Sequence, residues 1–396
     1  MEEISITNRN CPVCGSPKGE GKLIWSFKEI LPKEYHLPDK YNVVVCDNCG
    51  MCFADSRATE EDYDYYYTNV NLVSGRSVKD APIRKSVLSN AVEKWIDKKK
   101  SILDIGTGNG WFLKFIRDMG YQNIYGMDTS EVNVKKLEDE GITSWYGSVY
   151  QRPRPDFQKF YAVFLLSVLE HLFTPDDAIK GLNDYVCEGG YVFIDVPDMD
   201  NIMHGKSYPA THFHHEHINY FSIRSLDNLF GKNGFRRVDY FPIKENTDIE
   251  ALMLAVYQKG EKTELAFDAK TSSNIQLYLQ EFSNNVRMNE DKHGILSILS
   301  EEKRKVVIYG FGSRIMQILG DKEDNLHIID IIDGNELRWG QNVTIGSKDY
   351  IIKGIDSLCI SDDVCFLICV NSHQYVEEIT HIIKTHYQNN DIFVME

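Results

Sequence analysis

Residues 212–222 read HFHHEHINYFS, with four histidines and one glutamate in the six positions 212–217. Imidazoles titrate near neutral pH and an adjacent carboxylate can orient them, so the stretch is open to three readings: a catalytic base, a metal site or a polar loop. It runs on into an aromatic, strand-like tail rather than a helix, which weakens the metal reading. A second histidine-bearing element, LLSVLEHL, carries Glu170 and His171 just past an apolar run. Cys11-x2-Cys14 and Cys46-x2-Cys49 form two pairs, each followed by glycine. Two thiolates that close on a tight turn can each take half of one tetrahedral ion, and the glycine lets backbone amides point at the sulfur. The four together are expected to hold a structural Zn²⁺ with no open position, and Cys52 is expected to be a bystander.

SILDIGTGNG, at 101–110, supplies a fourth constellation. Asp104 sits in the strand end, and Gly106, Gly108 and Gly110 follow ahead of a helical WFLKFIRDMG. Glycines there let the backbone approach a ligand, and the helix N-terminus offers free amides. Alone the pattern also suits a dinucleotide site. Asp104 inside the strand, Asp128 closing the next strand and a strand pair at the end of the sheet make it resemble the class I S-adenosylmethionine-dependent methyltransferase domain over roughly 85–260. The resemblance implies that Asp104 faces the methionine amino group and Asp128 the ribose, with Ser148 and Val149 beside the adenine.

The elements that must position these residues follow the rhythm of a doubly wound sheet. SILDIG, NIYGMD, YAVFLLS and YVFIDVP alternate with helical stretches, and RRVDYFPI and ALMLAVYQK form an expected edge pair. A polar amphipathic stretch to about 300 leads into a second α/β run: KVVIYGFG, LHIIDIID, VCFLICVN and DIFVM. The expected fold class is α/β, a Rossmann-like sheet with an N-terminal zinc module and a C-terminal Rossmann-like domain. The expected domains are 1–60, 61–260 and 261–396. A chain of 396 residues is long enough for two or three cores. Its net charge of −16 argues against nucleic acid or an anionic membrane as main partner. The N-terminus lacks an apolar signal core and no run is long enough to span a bilayer, so a cytoplasmic location is expected.

Taken in order, the double knuckle, DIGTGNG, SVLEHL, HEHINYFS and the C-terminal α/β run resemble the bacterial sugar C-methyltransferases. That resemblance implies S-adenosylmethionine as methyl donor and a nucleotide-linked 4-keto-6-deoxysugar methylated at C3. It implies His217 as general base, Glu216 as its neighbouring carboxylate, and His171 as the histidine beyond strand four. Tyr66 and Tyr67, in DYDYYYTNVN, fall where that family places tyrosines around the sugar, although packing is an equal reading. His214 stands where family members commonly have tyrosine and is a substrate-contact candidate; His212 and His215 are read as ordinary polar residues. In YGFGSRIM, Arg314 stands near a family lysine, leaving that loop open between a nucleotide contact and a simple turn. Arg152 and Arg154 are either solvated or attract a diphosphate. The alternatives in function are an O- or N-methyltransferase on a small metabolite or glycan precursor, and a scaffold that binds the cofactor without catalysis.

Overall fold

The computed structural model describes residues 8–70, 82–153, 159–204, 209–243, 251–321, 326–370 and 373–395. Strands β1 (Gly21–Lys28), β2 (Lys40–Cys46) and β3 (Cys52–Ser56) come first, and helix α1 (Glu60–Tyr65) follows. Thr59 starts α1 with a capping box, its hydroxyl accepting from Asp62 N and the Asp62 carboxylate accepting in return. Beyond Tyr65 the helix loosens into a π-turn over Tyr66–Val70, which the sequence pattern did not announce. Such local unwinding is common where side chains must be re-aimed.

Helix α2 (Pro82–Trp95) leads into β4 (Ile102–Ile105), α3 (Trp111–Asp118), β5 (Ile124–Asp128), α4 (Glu131–Asp139), β6 (Thr143–Tyr146) and β7 (Phe160–Leu166). Then come α5 (Pro175–Tyr185), β8 (Val186–Pro197), the short β9 (Asn219–Tyr220), α6 (Ile223–Lys232), β10 (Phe235–Ile243) and β11 (Leu252–Lys259). Seven of these strands make one sheet of order β10-β11-β8-β7-β4-β5-β6. Only β11 runs against the rest, pairing antiparallel with both β8 and β10. The expected strand pair at the sheet edge is therefore present.

Both faces of this sheet are covered, as parallel strands require. Leu103, Val163, Val192 and Ile194 bury into one core cluster, while their neighbours Ile102, Ala162, Phe164 and Phe193 bury into the other. Each of the Leu, Val, Ile and Phe side chains contributes about 1.5–3 kcal/mol of apolar burial. The chain leaves β4 to one side through β5 and β6, then returns to the other side through β7 and β8. The crevice outside the carboxyl ends of β4 and β7 is the switch point where ligands bind in open α/β sheets.

Helices α7 (Thr271–His293) and α8 (Ile295–Glu301) precede the second α/β run. That run comprises β12 (Lys305–Tyr309), α9 (Ser313–Asp321), β13 (His327–Ile332), the hairpin β14 (Asn342–Ile345) and β15 (Lys348–Ile351), β16 (Val364–Ile368), α10 (His373–His386) and β17 (Ile392–Val394). Its parallel sheet has the order β13-β12-β16-β17. By contacts the chain divides into two compact units. The first is Met1–Ile24, Asn42–Gly205 and Glu216–Ile275; the second is Trp25–Tyr41, Lys206–His215 and Gln276–Glu396. Among the described residues no helix is long and apolar enough to cross a membrane.

Candidate functional site

At the end of β4 the chain turns through Gly106, Gly108 and Gly110, with φ of 72°, 55° and 70°. L side chains avoid this left-handed region. Two of the three are also close-packed. A Cβ on Gly106 would lie 2.6 Å from Val168 Cγ2, and one on Gly110 would lie 2.0 Å from Leu137 Cδ2. Gly108 has nothing within 4 Å, so the middle of the turn faces open space. Gly106 N and Thr107 N donate to Met127 O at 2.8 and 3.2 Å, and Gly108 N donates to Asp128 Oδ2 at 2.7 Å. Asp128 Oδ1 accepts from Ser130 N at 2.9 Å and Asn133 Nδ2 at 3.2 Å, fixing the carboxylate at the tip of β5. Gly147 N donates to Asp128 O at 3.0 Å, which draws the turn bearing Ser148 and buried Val149 to the same edge.

Asp104 is buried at 3% exposure, and its Oδ1 meets no donor among the described residues. Burial raises its carboxyl to about 7, an effect that Thr107 opposes, the Asp128 charge reinforces and Arg84 opposes. A buried carboxylate oxygen without a donor fits a ligand that brings a cation. Asp104 would hold the amino group of S-adenosylmethionine and Asp128 its ribose, with Ser148 and Val149 along the adenine.

The same edge carries the histidines. Val168, packed on Gly106, opens a 3-10 turn over Leu169–His171 just after β7. His171 and His217 face each other with ring centroids 4.9 Å apart at 66°. His171 Nδ1 lies 2.9 Å from Glu216 O, and a carbonyl only accepts, so Nδ1 carries the proton and Nε2 is left as the acceptor in the neutral ring. Nε2 is 3.8 Å from Glu170 Oε1, on a carboxylate that is 1% exposed. Tyr66 donates to Glu216 Oε1 at 2.5 Å. The Tyr67 hydroxyl lies 3.1 Å from His171 Nδ1 and 3.3 Å from Glu216 O. Burial, with the Glu216 charge second, pushes the Tyr67 phenol well above its usual value, so it stays protonated. The structure thus brings His171, Glu216, His217, Tyr66 and Tyr67 into one cluster. Glu170, His171 and His217 each present a ligand atom within 4.8 Å of the others, which is also a spacing that a metal ion could bridge.

The other histidines of the 212–217 stretch belong to the second unit. His215 Nδ1 pairs with Glu29 Oε2 at 2.8 Å, and Glu29 Oε1 accepts from Gln317 Nε2 at 3.0 Å and from the Tyr41 hydroxyl at 3.4 Å. This is a buried, mutually satisfied network. His214 is buried with its ring 5.9 Å from that of His215, and His212 packs edge-on against Tyr278.

Sequence reasoning missed two polar residues in the first unit, Arg84 and Asn219. Arg84 on α2 forks onto Asp195 at the end of β8, with Nε and Nη2 at 3.0 and 2.9 Å, and reaches Ser167 Oγ at 3.0 Å. Its guanidinium lies 5.3 Å over the Trp111 ring at the start of α3. Asn219 stitches the carbonyls of Leu169 and Leu172 at 3.1 and 2.7 Å. No local pattern marks such contacts, since 47 to 111 positions separate the partners. Arg152 is exposed, and Arg154 lies outside the described residues. In the second unit the loop after β12 closes on the end of the neighbouring strand β13. Asp333 accepts from Phe311 N and from Asn335 N, both at 2.8 Å, while Arg314 is buried.

The cysteine pairs form two matching turns. Gly15 N donates to Cys11 O at 3.0 Å and Gly50 N to Cys46 O at 2.9 Å, with φ of 77° and 78° at the two glycines. The four sulfurs lie within 4.8 Å of one another, with Cys11–Cys49 at 3.6 Å and Cys14–Cys46 at 3.5 Å. A tetrahedral ion with Zn–S bonds of about 2.3 Å sets sulfurs about 3.8 Å apart, so the donor set fits Zn²⁺. Cys52 stays outside the cluster, its Sγ directed at Gly50 O.

A protein-family profile described as a methyltransferase domain matches residues 79–240. Over 169 residues the chain is 25% identical to a tRNA U34 carboxymethyltransferase of Campylobacter hominis, covering 41% of this chain and 59% of that one. It is 26% identical over 159 residues to the Vibrio cholerae protein of that name, covering 38% and 48%. The chain therefore spans about half the length of the curated relatives it matches. Among solved structures, the CcbJ methyltransferase from Streptomyces caelestis aligns over 49% of this chain and 98% of its own, at 15% identity and a TM-score of 0.39. With its seven-stranded order and the family match over residues 79–240, the chain carries a class I S-adenosylmethionine-dependent methyltransferase domain.

Proposed function

We propose that the protein methylates the carbon alpha to the ketone of a nucleotide-linked 4-keto-deoxysugar, with His217 as the base. The observation that carries this reading is the pairing of half-buried His171 with buried His217, backed by Glu216 and two tyrosines, on the edge that presents the glycine turn. An oxygen or nitrogen acceptor already owns a lone pair and needs alignment more than a base. A C–H acceptor must first be deprotonated, and its charge spread onto an oxygen that meets a donor.

S-adenosylmethionine, when bound, supplies the electrophilic methyl group. His217 takes the proton from the carbon alpha to the ketone, and the electron pair of that C–H bond moves into the enolate. His171 keeps its Nδ1–H on the Glu216 carbonyl and packs T-shaped against His217, which holds the base in place beside the acceptor carbon. Tyr66 holds the Glu216 carboxylate in place, and Tyr67 remains a neutral donor. Cys11, Cys14, Cys46 and Cys49 hold a structural Zn²⁺, and thiolates kept for a metal suit a reducing, cytoplasmic compartment.

The test is proton exchange. A panel of nucleotide sugars is incubated with methyl donor, and mass spectrometry finds the substrate by its gain of one methylene. That substrate, placed in deuterium oxide without the donor, is expected to exchange its alpha proton with wild type and not with His217→Asn. Exchange that persists in the variant removes His217 from the role of base. A new methyl on oxygen or nitrogen would favour the alternative acceptors. Two relatives are named for tRNA modification, and labelling of bulk tRNA in place of the sugars would favour RNA despite the charge of −16.

A further inference from the structure

We propose that Arg9 is a positioning residue that sets the geometry of the His171–His217 pair; the consequence for turnover rests on the function proposed above. Arg9 lies two residues before Cys11 and is 6% exposed. Its planar guanidinium serves two chain segments at once. On one side Nη2 donates to Leu172 O at 3.3 Å and to Phe173 O. On the other, Nη1 donates to Ile218 O at 3.1 Å and Nη2 to Asn219 Oδ1 at 2.9 Å. The acceptors are thus the residues one and two places after each site histidine.

The cation is itself fixed. Its backbone N donates to Asp55 Oδ1 at 2.9 Å, and the guanidinium lies 4.7 Å from the centroid of the Phe173 ring. Asn219 adds its bonds to Leu169 and Leu172, and Ile218 N donates to Glu170 O at 3.0 Å. One fork therefore joins the turn after β7 to the segment entering β9, and the two imidazoles are carried on those joined segments. A burial this complete needs a return, because a cation withdrawn from water is costly unless its donors are paired; both Nη groups are bonded, and Nε meets no partner among the described residues. Lysine cannot replace it, since a single ammonium lacks the planar fork that spans two backbones. Arg9 touches neither histidine ring in the contacts above, so it acts through the main chain.

The experiment uses the full-length, zinc-loaded protein and the variants Arg9→Ala and Arg9→Lys, with ¹⁵N-labelled histidine. His171→Asn and His217→Asn identify the two imidazole signals. Calorimetric affinity for S-adenosylmethionine and the bound zinc report that each variant is folded. The expected result is that both signals shift or broaden in both variants while cofactor affinity is unchanged. Turnover should fall by about 100-fold, as a displacement of about 1 Å would cause, with little change in KM. Methylguanidine should restore turnover in Arg9→Ala and do nothing for wild type. If Arg9→Ala fails to bind the cofactor, Arg9→Lys carries the test. Unchanged imidazole signals with wild-type turnover in a folded variant would overturn the proposal. So would a loss of turnover that only tracks a loss of cofactor binding. The imidazole signals need no substrate, so they judge Arg9 even where wild type shows no exchange at carbon and the carbon-methylation reading fails.

Discussion

Burying a carboxylate beside another acid raises its pKa, and at Asp104 the carboxyl is carried to about 7 by burial first. Between the ordinary carboxylate value of about 3.9 and that point the native state holds a proton the unfolded chain has lost, so the group's contribution to stability falls as pH rises through this window. Above pH 7 the penalty is complete, up to about 4 kcal/mol for a shift of about three units. Asp104→Asn should therefore raise the melting temperature of the cofactor-free protein above pH 7 and lose affinity for S-adenosylmethionine. If Asp104 holds the amino group as proposed, only its ionised form pairs with it. Calorimetry should show affinity rising by about tenfold per pH unit below 7 and levelling above it; a flat profile would remove Asp104 from the amino group. Tyr66 makes a different kind of contribution, because its hydroxyl donates to Glu216. Tyr66→Phe should lower kcat by about 10- to 100-fold, the worth of one hydrogen bond to a charged group, and leave cofactor affinity alone. A matching loss of affinity would show that the hydroxyl holds the fold instead.

The glycine turn shows how an element converts packing into a binding edge. Gly110→Ala adds a methyl 2.0 Å from Leu137 Cδ2 at a φ of 70°, whereas Gly108→Ala meets nothing within 4 Å at a φ of 55°. The second carries only the left-handed backbone cost of about 1–2 kcal/mol. The first adds overpacking of about 1–3 kcal/mol, so thermal unfolding should rank Gly110→Ala well below Gly108→Ala. Equal melting temperatures would mean that α4 gives way freely. These elements were legible because their signals are local. The apolar runs around Leu103, Met127, Phe164 and Ile194 announce parallel strands, and the acid, glycines and cysteines sit at fixed short spacings. The spacing of CPVCG and CDNCG likewise anticipates the two glycine-closed turns. What stayed hidden is long-range or irregular. Arg84 meets Asp195 across 111 positions and Arg9 meets Ile218 across 209, separations at which no periodicity operates. The π-turn at Tyr66–Val70 and the β14–β15 hairpin also lack a strong local signature, since their residues read equally well as loop.

At the scale of the whole first unit, the cysteine knuckles and the central sheet share one core, because Cys11, Val13, Val44 and Met51 bury with Leu103, Val163 and Ile194. The second knuckle is also strapped from outside. Asp268 N donates to Cys49 O at 2.9 Å, and a Cβ on Gly50 would lie 2.1 Å from Asp268 O. Asp268 in turn accepts from the hydroxyls of Ser222 and Thr271, which anchors the strap to the start of α6. Strain at the knuckles therefore has two exits: through Asp268 to α6, and through Arg9 to the histidine segments. The glycine turn is bonded to Met127 and Asp128 of β5 and packed on Val168 and Leu137, and none of these direct contacts is to a cysteine. Stripping the metal leaves four crowded sulfurs with no cation between them, and thiolate repulsion should open the knuckles first. A strong chelator is thus expected to release one equivalent of zinc, shift the imidazole signals of His171 and His217, and leave S-adenosylmethionine binding in place. Cys49→Ser should reproduce that separation without chelator. Cofactor binding lost in step with the metal would show instead that the knuckles hold up the sheet itself, and the two exits would collapse into one.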